Sequence, residues 1–284
     1  MEKGIAHRKT PTHARAAIGS RNGRSAGVFV LVSGLAAGAC DGGKTEYMGE
    51  QAPFAGCEQT PTAPPAALGL DPFYAKYLDG YGSPVLSSAS VQDEALVRAC
   101  RITGEMLSAR ADLRKALAAN HLRVAVLATS EHTTEIPEYS DLNSAFPNTS
   151  WDQIRGIGAT RARPVASAGE ENLLCSDGDP NKTQSILIWL LAYAIRELGI
   201  ADLDSQFDGR LQAAYRSAMN AGLWANTLAA TDAPTYFAEG AQAYFGGDTA
   251  SPVNSRDALM AYDAGLAALL AEWLPAISWH ASCY

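Results

Sequence analysis

The chain lacks nearly every short motif by which catalysis or nucleotide binding declares itself. There is no Gly-x-Ser-x-Gly elbow, no Walker phosphate loop, no Rossmann glycine fingerprint and no Cys-x-x-Cys pair. The last absence argues against a zinc site built on cysteine. Histidine is scarce, five in 284 residues, and His-Glu-x-x-His does not occur. Nor is there an apolar run of the roughly 20 residues that a membrane-spanning helix needs. No internal repeat is found.

What is there begins with charge. The formal net charge is −8, unevenly spread: residues 1–39 hold six of the 22 basic residues and one of the 30 acids, leaving 16 bases and 29 acids, a net −13, over 40–284. A body this acidic repels phosphate backbones, so nucleic acid is not an expected partner. With 47% hydrophobic residues, the chain has ample material for one large or two small domains.

The basic start runs into an apolar stretch, Gly27 to Ala39, and then Cys40. A positive region, a short apolar region and small residues at a cut form the layout of a secretion signal. Ala37-Gly38-Ala39-Cys40 also resembles a bacterial lipobox, although Ala37 stands where Leu is commonest. The expectation is an exported cell-envelope protein, lipid-anchored to a membrane at Cys40. Plain secretion and a buried N-terminal helix are the alternatives. Beyond Cys40 lie Cys57, Cys100, Cys175 and Cys283. In an exported chain an even number suggests two disulfides, with three pairings open, against the alternative of four separate buried thiols.

Residues 41–67, rich in Gly, Thr, Ala and Pro, read as a tether after the 1–40 signal, and 68–284 as the folded domain. Ser90 with Asp93 and Glu94 predicts an N-cap and first turn of a helix over about 91–109, and a second helix is expected from Asp112 to Ala119. Leu122 to Ala128 turns β-branched and predicts a central strand. The next sixty residues hold many turn formers, and a long connection of this kind is more often functional than idle. Further helices are expected from Asp204 to Gly222 and from Ser255 to Pro275. Ser185 to Gly199 is apolar almost all round, as a helix buried in a core would be.

Several fragments, taken in order, resemble one family. They are Leu70-Asp71-Pro72-Phe73-Tyr74, Thr133-Thr134-Glu135-Ile136-Pro137-Glu138, Arg155-Gly156-Ile157-Gly158-Ala159-Thr160, Glu170-Glu171-Asn172-Leu173-Leu174-Cys175, Gly222-Leu223-Trp224-Ala225-Asn226-Thr227 and Tyr236-Phe237-Ala238-Glu239-Gly240-Ala241-Gln242. Together they are similar to the gluzincin-type zinc peptidase domain of secreted bacterial and fungal proteins, itself distantly similar to the catalytic domain of anthrax lethal factor. The resemblance implies a zincin-like α+β domain, mainly helical with a small sheet. It also implies zinc, held by two His and a Glu, with a second Glu as general base.

By position, Trp189 stands at the first His, Leu190 at the general base, Tyr193 at the second His and Glu239 at the third ligand. Leu228 stands where a Tyr is expected. Of the set, Glu239 alone could ligate. Leu has no donor atom, an indole N–H can only give a hydrogen bond, and a neutral phenol is a poor ligand. No metal or other cofactor is therefore expected. The leading expectation is a peptidase-like domain without catalysis, serving as a binding or structural module whose groove takes a peptide or protein. The alternative is an active hydrolase using substitute ligands, with His132 the nearest candidate and His121 and His280 weaker ones. Trp189 and Tyr193, four apart, should stack where metal and imidazoles would otherwise lie. The Tyr193 hydroxyl, Arg161 or Arg163 is expected to meet Glu239.

Overall fold

The computed structural model describes residues 55–281; Cys40, Cys283 and the expected signal and lipidation segment lie outside the described residues. The chain first forms a hairpin, β1 (Lys76–Gly80) and β2 (Ser83–Ser87), paired antiparallel with Gly80 opposite Ser83. Its two-residue turn puts Tyr81 and Gly82 at φ 58° and 86°. Left-handed backbone at both central positions gives the twist that joins adjacent strands tightly, and the Asp79 carboxylate accepts the Gly82 N–H at 2.6 Å.

Helices α1 (Asp93–Met106) and α2 (Ala111–Ala119) then cross over to β3 (Arg123–Leu127), which lies parallel to β2. After a long excursion that includes α3 (Leu142–Ala145), β4 (Val165–Gly169) pairs parallel to β3 and leads into α4 (Glu170–Leu173). The order is β1-β2-β3-β4, with β3 inside the sheet as its sequence predicts. The remaining elements are helical: α5 (Ile186–Ile195), a π-helical turn at Arg196–Ile200, α6 (Ala201–Leu203), α7 (Phe207–Asn220), α8 (Ala233–Tyr244), α9 (Arg256–Tyr262) and α10 (Ala264–Ala271). The class is α+β, mainly helical with a small sheet.

Side-chain alternation divides the interior. Val85, Val124, Val126, Ala166 and Ala168 face the main core with the helices, while Leu86, Ala125, Leu127 and Val165 face a smaller core built with Ile136, Tyr139, Leu142 and Trp151. Residues 128–164 therefore cover the second face of the sheet, which would otherwise expose apolar strands to water.

Three boundaries differ from expectation. The N-cap of α1 is Gln92 rather than Ser90; its N–H goes to the distant Glu170 carboxylate at 2.9 Å, and Ser90 N–H turns locally to Ser88 Oγ. The expected single helix from Ser255 to Pro275 is broken at Asp263, whose extended backbone (φ −142°, ψ 79°) lets its carboxylate cap α10 at Leu266 N–H. The expected tether also ends early. Cys57 is bonded to Cys100 of α1 with Cα atoms 5.6 Å apart, and Thr62 bridges Tyr77 of β1. Cys175 is disulfide-bonded as well, so separate buried thiols do not describe these cysteines.

Candidate functional site

The site is built on two helices that run past each other in opposite directions. The start of α5 is pinned from several sides: Asn172 Oδ1 accepts Ile186 N–H at 3.0 Å, Gln242 donates to Ser185 O at 2.9 Å, and Ser185 N–H donates to Gly247 O at 2.7 Å. Helix α8 starts at Asp232, whose carboxylate accepts Thr235 N–H at 2.8 Å, with Pro234 in the first turn. These caps fix the register of the helices against each other. Residue 189 consequently faces residue 239, and residue 193 faces residue 235.

Trp189 is buried and its Nε1–H donates to Glu239 Oε1 at 2.9 Å. Its ring lies 5.5 Å from that of Tyr193, tilted by 33°, as the spacing of four predicts. Burial pushes the Glu239 carboxyl up to about 7, against the lowering effect of the indole hydrogen bond and with a further rise from nearby Asp248. Burial likewise pushes the Tyr193 hydroxyl up to about 12, helped by Asp232 and opposed by Arg196 and Thr235.

The expected partners of Glu239 are corrected. Tyr193 sits one helical turn beyond Trp189 and looks toward Thr235. Arg161 is held by Asp202 at 2.6 Å, and Arg163 by Asp141 at 2.7 Å. The indole does what those groups were expected to do.

Leu190 is 5% exposed and turns to a segment that lengthens the sheet. Ser167 N–H donates to Ile157 O at 2.9 Å and Gly169 N–H to Arg155 O at 2.8 Å, so residues 155–157 lie antiparallel along the outer side of β4. Glycine is required at 156, where a Cβ would come within 2.6 Å of Ser167 O and 2.7 Å of Leu190 Cδ1. Arg155 anchors the segment through two hydrogen bonds to the Glu171 carboxylate, at 2.6 and 3.0 Å. Glu170, beside it, accepts Thr129 and Gln92 N–H, each at 2.9 Å. The polar residues of the Arg155 and Glu170–Asn172 fragments thus hold the frame around α5. In the sequence, their only signal is charge and amide groups in stretches otherwise rich in buried residues.

Other sequence candidates lie apart from this arrangement. His132 is exposed, 3.7 Å from Asp152. His121 takes left-handed backbone (φ 58°) just after α2. His280 lines a separate cavity of about 440 Å³ with Arg98, Arg101 and Trp279. Leu228 is 41% exposed on a short turn packed near α8. Among the described residues no three His, Cys, Asp or Glu side chains converge as a metal site would require. The donor set at 189, 190, 193 and 239 does not fit zinc, because its one carboxylate already accepts an indole N–H and its neighbours offer no lone pair suited to the metal.

No family model matches the chain, and no curated protein matches it. Among solved structures it is similar to the Pro-Pro endopeptidase PPEP-2 from Paenibacillus alvei, at 15% identity and a TM-score of 0.42, over 62% of this chain and 90% of that one.

Proposed function

We propose that the chain is a cell-envelope lipoprotein whose peptidase-like domain is non-catalytic and serves as a binding or structural module. One observation carries the loss of catalysis: the Trp189 indole N–H occupies the Glu239 carboxylate, the single ligand-type group left in the set. With Leu190 packed on Gly156, the position of a general base holds hydrocarbon. Water there would have neither a metal nor a base to lower its pKa. The exported, lipid-anchored part of the reading is supported by the basic start, the short apolar run and Ala37-Gly38-Ala39-Cys40.

Metal analysis of the purified protein tests the catalytic half. The expected result is no stoichiometric zinc in the wild type and zinc binding in the triple variant Trp189→His, Leu190→Glu, Tyr193→His. Stoichiometric zinc in the wild type overturns the reading. For the anchor, Cys40→Ser should abolish incorporation of labelled fatty acid; unchanged labelling would sink it.

A further inference from the structure

The cavity of about 440 Å³ is walled by α1, by the end of α4 together with Ser185, and by the segment that follows α10. None of Trp189, Leu190, Tyr193 and Glu239 lines it. The last of its walls is fixed against the end of α8. Arg256 donates to Ile277 O, the Trp279 ring lies 6.3 Å from that of Phe245, and His280 sits over Gly246, where a Cβ would come within 2.7 Å of its Nδ1. Gly246 also takes left-handed backbone (φ 67°), which glycine adopts without strain.

The lining is of two kinds. Val97, Ile102, Leu173 and Trp279 give apolar surface, and Glu94, Arg98, Arg101 and His280 give polar surface. Glu94 is already neutralised: Arg98 donates to its Oε1 from Nε at 3.1 Å and from Nη2 at 2.5 Å, and gives Nη1–H to Leu173 O at 3.1 Å. Arg101 has no comparable partner. Its nearest carboxylate, Glu58, stands 3.9 Å away, beyond hydrogen-bond reach, and both side chains are exposed, so the pairing holds it weakly. The cavity therefore presents a guanidinium with donors to spare.

Ser185 lines the same cavity and is 1% exposed. A serine at a helix N-cap ordinarily turns its hydroxyl onto an N–H of the first turn, but Ser185 makes no such bond, and Asn172 Oδ1 takes the Ile186 N–H in its place. A buried hydroxyl is thus left to the cavity, at the positive end of the ten-residue helix α5.

We propose that this cavity binds a small organic carboxylate with an apolar body. Arg101 pairs with the carboxylate, the Ser185 hydroxyl donates a hydrogen bond to the ligand, and Val97, Ile102 and Trp279 cover its apolar part. The volume suits a free small molecule rather than the end of a longer chain. The inference is independent of the non-catalytic reading, so zinc found in the wild type would leave it standing.

The test uses the full chain labelled with ¹⁵N-tryptophan, with the Trp279 indole resonance assigned through Trp279→Phe. Titration with 3-phenylpropionate should shift that resonance, and 3-phenylpropionamide should bind on the order of tenfold more weakly. Arg101→Gln should erase the difference between the two ligands. Ser185→Ala should weaken both by about three- to tenfold while leaving Tm close to that of the wild type, because its hydroxyl caps nothing. An unmoved Trp279 resonance, equal affinities for the two ligands, or a preference for the acid that survives Arg101→Gln overturns the proposal. Tighter binding of Ac-Gly-Gly-Phe than of 3-phenylpropionate overturns the assignment to a free small molecule. Should Arg101→Gln not fold, the comparison of acid and amide on the wild type decides alone.

Discussion

Two carboxylates, Glu239 on α8 and Asp263 at the start of α10, each accept an indole N–H, and they are otherwise provided for very differently. Asp263 receives Trp224 Nε1–H at 2.9 Å, the Tyr236 hydroxyl at 2.6 Å and Leu266 N–H at 3.1 Å. Glu239 receives Trp189 Nε1–H, and burial pushes it up to about 7. A carboxylate placed to build the fold has its lone pairs met by donors from three elements. Glu239 instead sits on the α5–α8 face with less support, and nearby Asp248 raises it further. The contrast separates a group that stabilises from a group that the fold tolerates.

The largest expected effect breaks the better-supported member. Asp263→Ala removes the cap of α10 and leaves the Trp224 and Tyr236 donors buried without a partner, which should cost about 3–5 kcal/mol in urea unfolding. Next comes the pH response of Glu239. Its folded pKa lies above that of the unfolded chain, so the folded state holds the proton more tightly. The associated stability is fully present below about pH 4.5 and is lost as pH rises through about 7. The loss should amount to about 2–3 kcal/mol, allowing for partial exposure. Tm measured from pH 4.5 to 8 should fall less in Glu239→Gln than in the wild type, and parallel curves would remove Glu239 as the cause. The smallest effect sharpens the role of the indole. Trp189→Phe should destabilise by about 1–2 kcal/mol at pH 8 and move the Glu239 titration upward in carboxyl ¹³C spectra.

Legibility followed the range of the interaction. Helices α1, α2 and α7 were readable because burial on one face imposes a period of 3.6, and β3 because its side chains are β-branched. Strand β4, Val165-Ala166-Ser167-Ala168-Gly169, carries small residues on both faces and gave no such signal. The break at Asp263 is invisible to periodicity, since Leu259 and Leu266 keep the same apolar rhythm across it; the carboxylate is there for Trp224 and Tyr236, far away in sequence. At the site, the stacking of Trp189 on Tyr193 was local and legible. The choice of Trp189 over Tyr193 as the partner of Glu239 was not, because the register between α5 and α8 is set by Asn172, Gln242 and Asp232.

The Cys57–Cys100 bond gives the molecule a mechanical property. It closes a separation of 43 residues and should add roughly 4 kcal/mol by restricting the unfolded chain. Tension applied to the chain ahead of Cys57 passes through the sulfur bridge directly into α1. The hairpin of β1 and β2, which lies between the two cysteines in sequence, is bypassed, so its strands are not peeled from the sheet by a pull from that side.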